Sequence, residues 1–210
     1  VRSFTHETGA VGGTGTYTWG AINNLKAGTY LIQSGTHPSV QVQMGLYAGL
    51  IVDECAAGTA YPGINYDIDL PLLFSEIDPF LHAAVAGGTY GTAAYMTTMM
   101  EGYRPLYFLI NGQPYTAGQS PFDAGVVGNT VMLRFLNAGL RDREPVVQTG
   151  TMQVVAEDGN PFTFAGPARA YSVDLAPGQT MDATSPSAAA ASGPVFDCPL
   201  GLRNAAARTA

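Results

Sequence analysis

No stretch of this chain sustains a helical period. Apolar, aromatic and β-branched residues come instead in short runs of about four to eight, bounded by Gly, Pro, Asn and Asp. Thr130–Asn137 (TVMLRFLN) is the strongest of these runs. Thr16–Trp19, Thr29–Ser34, Gly45–Val52, Met152–Ala156, Ala170–Leu175 and Thr180–Thr184 are further strands on the same grounds. Asn111-Gly112 between Tyr107–Ile110 and Gln113–Tyr115 predicts a tight hairpin, because both turn positions need positive φ. Glu157–Asn160 and Pro177-Gly178 punctuate the later strands. Asp78–Ala86 is the one predicted helix, with Pro79 at its first position. The 26 Gly and 14 Pro fit a chain of many turns, and the sum is an all-β Greek-key sandwich. Leu31, Leu46, Ile51, Val131, Leu133, Phe135, Val154, Val173 and Met181 occupy apolar strand positions and form the expected core, with Gly45–Val52 a buried strand.

Charge narrows the function classes. Only nine Lys and Arg are present against 16 Asp and Glu, and the net charge is −7. The basic residues are scattered, so nothing forms the stripe that nucleic-acid phosphates require. No apolar run reaches the ~18 residues of a membrane-spanning helix. There is no Ser-His-Asp array and no GxSxG motif. Gly12-Gly13-Thr14-Gly15 precedes no helix, which rules against a phosphate loop. Few Lys, abundant Thr, Ser and Gly, and Tyr-rich strands favour an exported protein, periplasmic or extracellular.

Small residues and a Pro-Gly turn mark 55–64 (CAAGTAYPGI) as a linker. It divides the chain into 1–54, 65–198 and a tail, 199–210. In the second unit Tyr66, Ile68 and Leu70 alternate with Asp67 and Asp69, which places the two carboxylates toward solvent. Arg141–Glu144 (RDRE) reads as a solvated ion-pair loop. Ser185–Gly193 is a low-complexity Ala/Ser loop.

Several runs, in this order, resemble the bacterial multicopper oxidases. Gly28–Asp53 (GTYLIQSGTHPSVQVQMGLYAGLIVD) is similar to the end of a first cupredoxin domain. Tyr107–Tyr115 (YFLINGQPY) resembles the opening hairpin of a second, Val131–Phe162 its middle and Ser172–Thr184 its late strands. The resemblance implies a cupredoxin-like Greek-key β-sandwich architecture, with one partial domain (1–54) and one complete domain (65–198). It also implies that another polypeptide, or segments outside this chain, completes the first domain and covers its open edge near Val1–Thr5 or Thr16–Trp19, since a few strands cannot alone bury Tyr17, Trp19, Tyr30, Leu31, Leu46 and Tyr47.

Copper chemistry of that family needs paired His-x-His motifs and a blue-copper set of two His and one Cys. Here the turn that would carry one His pair reads Gln33-Ser34-Gly35, so both ligand positions, Gln33 and Gly35, lack imidazole. Only His6, His37 and His82 are present. His37, beside the vacant pair, is either a surviving ligand or acid–base group, or a polar loop residue. His6 reads as a loop residue, and His82, on the predicted helix, as a surface or interface residue. Met96, Met99 and Met100 (YMTTMME) are either soft copper(I) ligands or packing residues of an insertion. Neither Cys55 nor Cys198 has a His close behind it. The two are a disulfide candidate, joining the end of the first domain to the end of the second, or else two separate thiols.

Two function hypotheses follow. The first is a non-catalytic cupredoxin scaffold without a cofactor of its own, a structural or binding subunit outside the cytoplasm, with an accessory place on a membrane-bound electron-transfer assembly as one form of it. The alternative is a fragment of an active copper-dependent oxidoreductase whose copper-binding domain lies elsewhere.

Overall fold

The computed structural model describes residues 13–16, 25–54, 56–92, 102–148, 150–163, 168–186 and 193–198. Its central element is β8 (Thr130–Asn137), which lies in the middle of the main sheet. On one side β8 pairs antiparallel with β13 (Thr180–Pro186), and β13 with β10 (Met152–Glu157). On the other it pairs parallel with β5 (Ile68–Ile77). β5 continues antiparallel into the hairpin of β6 (Tyr107–Ile110) and β7 (Gln113–Pro114). β11 (Asn160–Pro161) and β12 (Ala168–Ala170) add to β10. Parallel neighbours cannot be joined by a tight hairpin. The β5–β8 pairing therefore sets the Greek-key connectivity.

Alternation along β8 explains why both faces of this sheet are covered. Val131, Leu133 and Phe135 join Leu72 and Phe74 of β5, and Met181 and Ala183 of β13, in one core. Its lid contains Val147 of β9 (Pro145–Val147) with Val173 and Leu175. β9 pairs with β14 (Val195–Asp197), and bridges at Arg143–Leu175 and Val146–Ser172 complete this second layer. The alternate residues Met132, Arg134 and Leu136 are equally buried on the opposite face. There a ribbon of β1 (Gly28–Gln33) and β2 (Tyr47–Val52) packs, with Gly49 against Leu136 and Leu73. Beside it sits the small hairpin of β3 (Thr59–Tyr61) and β4 (Ile64–Asn65), whose Ala60 and Tyr61 cluster with Met132, Val155 and Ala156.

The local signals behave as their chemistry predicts. Helix α2 (Pro79–Ala86) starts after Asp78, whose carboxylate accepts from the Phe80 and Leu81 amides. Asn111 and Gly112 both have positive φ in the β6–β7 turn. The Asn111 side chain also accepts from Leu73 N–H and donates to Pro71 C=O, pairing a part of the β5 edge that β6 does not reach. Gly159, at φ +71°, turns β10 into β11 directly under the ribbon, where an added Cβ would stand 2.5 Å from the Tyr30 ring.

Three expectations need correction. Leu46 is 56% exposed, because it lies in the turn before β2 rather than within the strand. Gly45–Val52 is correspondingly a half-exposed ribbon strand and not a buried one, and Leu31 and Ile51 are only half-buried. Within the expected linker, Tyr61 gives its hydroxyl to the main sheet and is buried. Asp69 and the Arg141–Glu144 loop are not simply solvated, for the reasons given below. The remaining core residues Val131, Leu133, Phe135, Val173 and Met181 are buried, and Val154 packs against them. β13 extends to Pro186, into the stretch expected as a loop. Thr16–Trp19 lies outside the described residues from position 17 onward.

Candidate functional site

The turn after β1 is the position to test first. Gln33 ends β1, opposite Tyr47, and is exposed, as is Gly35. Ser34 N–H donates to Leu46 C=O at 3.0 Å, and the Ser34 hydroxyl donates to the Gln41 side chain of α1 (Pro38–Gln41). His37 stands at the N-cap of α1 without capping it. Its Nδ1 lies 3.3 Å from Ser39 Oγ and its ring meets Tyr90 edge-on at 6.2 Å. The His82 ring instead reaches back from α2 to Gln43 C=O, with Nε2 at 3.0 Å. A carbonyl only accepts, so Nε2 carries the proton. These residues do not fit a copper centre. An amide, a hydroxyl already engaged and a glycine offer no imidazole, and His37 and His82 make separate contacts on separate elements. Among the described residues, no three His, Cys, Asp or Glu side chains are grouped to hold a metal.

The strongest polar chemistry lies under the ribbon. Arg134 points from the middle of β8 into the seam, with its side chain fully buried. Its Nε donates to Asp69 at 2.6 Å, its Nη2 to Asp53 at 2.6 Å and its Nη1 to the Thr29 hydroxyl at 3.2 Å. A third carboxylate, Asp182 of β13, lies 3.9 Å from Nη1. Tyr61 donates to Asp182 and Tyr66 to Asp53, and the Tyr66 ring sits 5.6 Å from the guanidinium carbon. Burial works against the Arg134 charge, but Asp69, Asp182 and Asp53 outweigh it and raise its pKa. Burial and then the Asp53 hydrogen bond push the Tyr66 hydroxyl up to about 12. Burial and Asp182 likewise raise Tyr61 and Tyr30. Burial also pushes the Asp182 carboxyl up, against the hydroxyls of Tyr61 and Thr29 and the charge of Arg134.

A second buried arginine closes the sandwich. Arg143 pairs with Glu76 of β5 and, at 2.9 Å, with Asp197 of β14, and its guanidinium carbon is 5.1 Å from the Phe108 ring. Glu76 also accepts from Leu140 N–H and the Tyr103 hydroxyl, and that hydroxyl reaches Gln43 at 2.8 Å. Asp197 accepts Glu144 N–H at 2.8 Å.

Both arginine clusters escaped the sequence reading. One signal was available: Arg134 stands alone in an otherwise apolar strand, where an unpaired charge would be prohibitive. Cys198 is exposed, and Glu144 pushes its thiol up. Cys55, Met96, Met99, Met100 and His6 lie outside the described residues, and with them the disulfide and methionine readings.

Comparison with known proteins agrees with this architecture. The family model described as multicopper oxidase matches residues 86–189. Among solved structures, the blue copper oxidase from Nitrosomonas europaea superposes with a TM-score of 0.63 at 18% identity, covering 84% of this chain and 51% of that one. The multicopper oxidase mgLAC gives 0.63 at 22% identity, over 81% and 49%. A copper-containing nitrite reductase from Thermus scotoductus SA-01 gives 0.62 at 16%, over 85% and 39%. The chain thus spans about half, or less, of these proteins' lengths. No curated protein matches the sequence. The chain thus matches the multicopper oxidase family model over residues 86–189 and shares the cupredoxin-type fold of these copper proteins.

Proposed function

We propose that this chain is a cupredoxin scaffold that carries no copper of its own and acts as a structural or binding subunit outside the cytoplasm. One observation carries the reading: the Gln33-Ser34-Gly35 turn offers no imidazole, and its hydroxyl is bonded to Gln41. A cupredoxin sandwich persists without metal because its core is apolar and not a metal cage, and fold does not fix chemistry. The outward face of the ribbon suits a partner role. By register Ile32 and Ala48 share that face, and Ile32 is 41% exposed. A two-stranded ribbon with an open apolar face is marginal alone. A further segment or another polypeptide covering it, in an assembly such as a membrane-bound electron-transfer complex, accounts for that face.

The test is elemental analysis of the intact natural protein after expression with excess copper, with absorption spectra alongside. Substoichiometric copper and no blue absorption are the expected result. Tight copper with blue absorption would support the alternative, an active copper-dependent oxidoreductase whose metal lies beyond this chain. A copper peak bonded at Gln33–Gly35 would overturn the scaffold reading itself.

A further inference from the structure

We propose that the seam between the β1–β2 ribbon and the main sheet is a proton-dependent latch whose switch is the carboxyl of Asp182, neutral while the ribbon is docked. The geometry sets Asp182 apart from the other two carboxylates. Asp53 and Asp69 each hold a guanidinium nitrogen at 2.6 Å and keep about 30% of their side-chain surface open to water. Asp182 is 1% exposed, stands 3.9 Å from the nearest guanidinium nitrogen, and its Oδ1 has no hydrogen-bond partner among the described residues. Arg134 is thus already neutralised by two closer carboxylates. A third charge would be buried in excess, with neither water nor a second cation to balance it.

The groups facing Asp182 confirm the imbalance. Arg134 of β8 is the one cation against it among the described residues. The acid is Asp69 of β5. The hydroxyls are those of Tyr61 of β3, which donates to it, and of Tyr30 and Thr29 of β1. While Asp182 is protonated, one guanidinium faces two carboxylates. When Asp182 ionises it faces three, and the added repulsion falls on Asp69. Undocking the ribbon, whose Thr29 and Tyr30 face Asp182, returns that carboxyl to water and relieves the burial cost.

The sign of the pH effect follows. The docked state holds the Asp182 pKa above its ordinary value, chiefly through burial. The docked state therefore binds the proton more tightly than the open one. The contribution to docking is complete below the ordinary carboxylate range and is lost as pH rises through the raised value. Acid closes this latch and alkali loosens it.

Hydrogen exchange of the ribbon amides Leu31 and Ile51, referenced to β8 amides and corrected for intrinsic rates, reads the opening across a pH series. Within the window, the open population should rise by up to about tenfold per pH unit, and Asp182→Asn, which mimics the neutral acid, should abolish that slope. Side-chain carboxyl NMR of the unmutated protein gives an independent reading should the variant fold poorly. An Asp182 resonance titrating near ~3.9, or an unchanged slope in D182N, would overturn the proposal.

Discussion

Arg134 and Arg143 are both buried arginines with carboxylate partners, but they join different things. Arg143 lies within the sandwich, and the side chains of Glu76 and Asp197 around it are fully buried. Arg134 lies at a seam, and Asp53 and Asp69 keep contact with water. The first is a dry cluster that fixes where β14 and the Arg141–Glu144 loop meet β5. The second is a wet-edged cluster whose three nitrogens reach three separate elements, β5, β1 and the chain after β2. A buried ion pair is weak evidence of net stability, yet removing one partner is costly in proportion to how fully the other is desolvated. The contrast therefore predicts a global effect from Arg143 and a local one from Arg134.

The largest effect is expected at Arg143. Arg143→Met strands Glu76 and Asp197 without water or a cation, and should cost about 3–5 kcal/mol in urea unfolding of the whole fold. Arg134→Met should cost less, about 3 kcal/mol, since Asp53 and Asp69 can hydrate as the ribbon lifts. Exchange of β1 and β2 amides should then accelerate while β8 amides keep their protection. Equal losses spread over the whole chain in both variants would break the distinction.

The sequence made the strands legible and hid these clusters. The edges of β8, α2 and the Asn111-Gly112 hairpin follow from local rules: an apolar run between turns, a capped helix start, a turn that needs positive φ. Arg134 and its partners follow from no local rule, because Thr29, Asp53, Tyr61, Asp69 and Asp182 come from distant parts of the chain. Alternation correctly put Ile68 and Leu70 on the core side, and put Asp69 on the other side. The error was to take that other side for solvent, when the ribbon covers it. Leu46 fails for the opposite reason, as an apolar residue in a turn with nothing above it. The vacant ligand turn was readable because it depends on residue type alone.

The smallest effect expected is at Thr29, and it sharpens the comparison most finely. Thr29→Val keeps the shape and the β propensity of the residue and removes only the hydroxyl that accepts from Arg134 Nη1. The backbone carbonyl of Thr29 still accepts from Thr180, so the strand stays anchored to β13. The hydroxyl's bonds to Arg134 Nη1 and to the Asp182 carboxyl are both lost, while Asp182 stays 3.9 Å from Nη1. A loss of about 1 kcal/mol follows, confined to ribbon opening in hydrogen exchange. Because the Thr29 hydroxyl favours the ionised Asp182, the loss in T29V should be smallest at low pH, where Asp182 is neutral, and grow as Asp182 ionises. A loss independent of pH would mean that Asp182 does not change charge in the seam, which would then be a two-carboxylate clamp of the same kind as the one around Arg143.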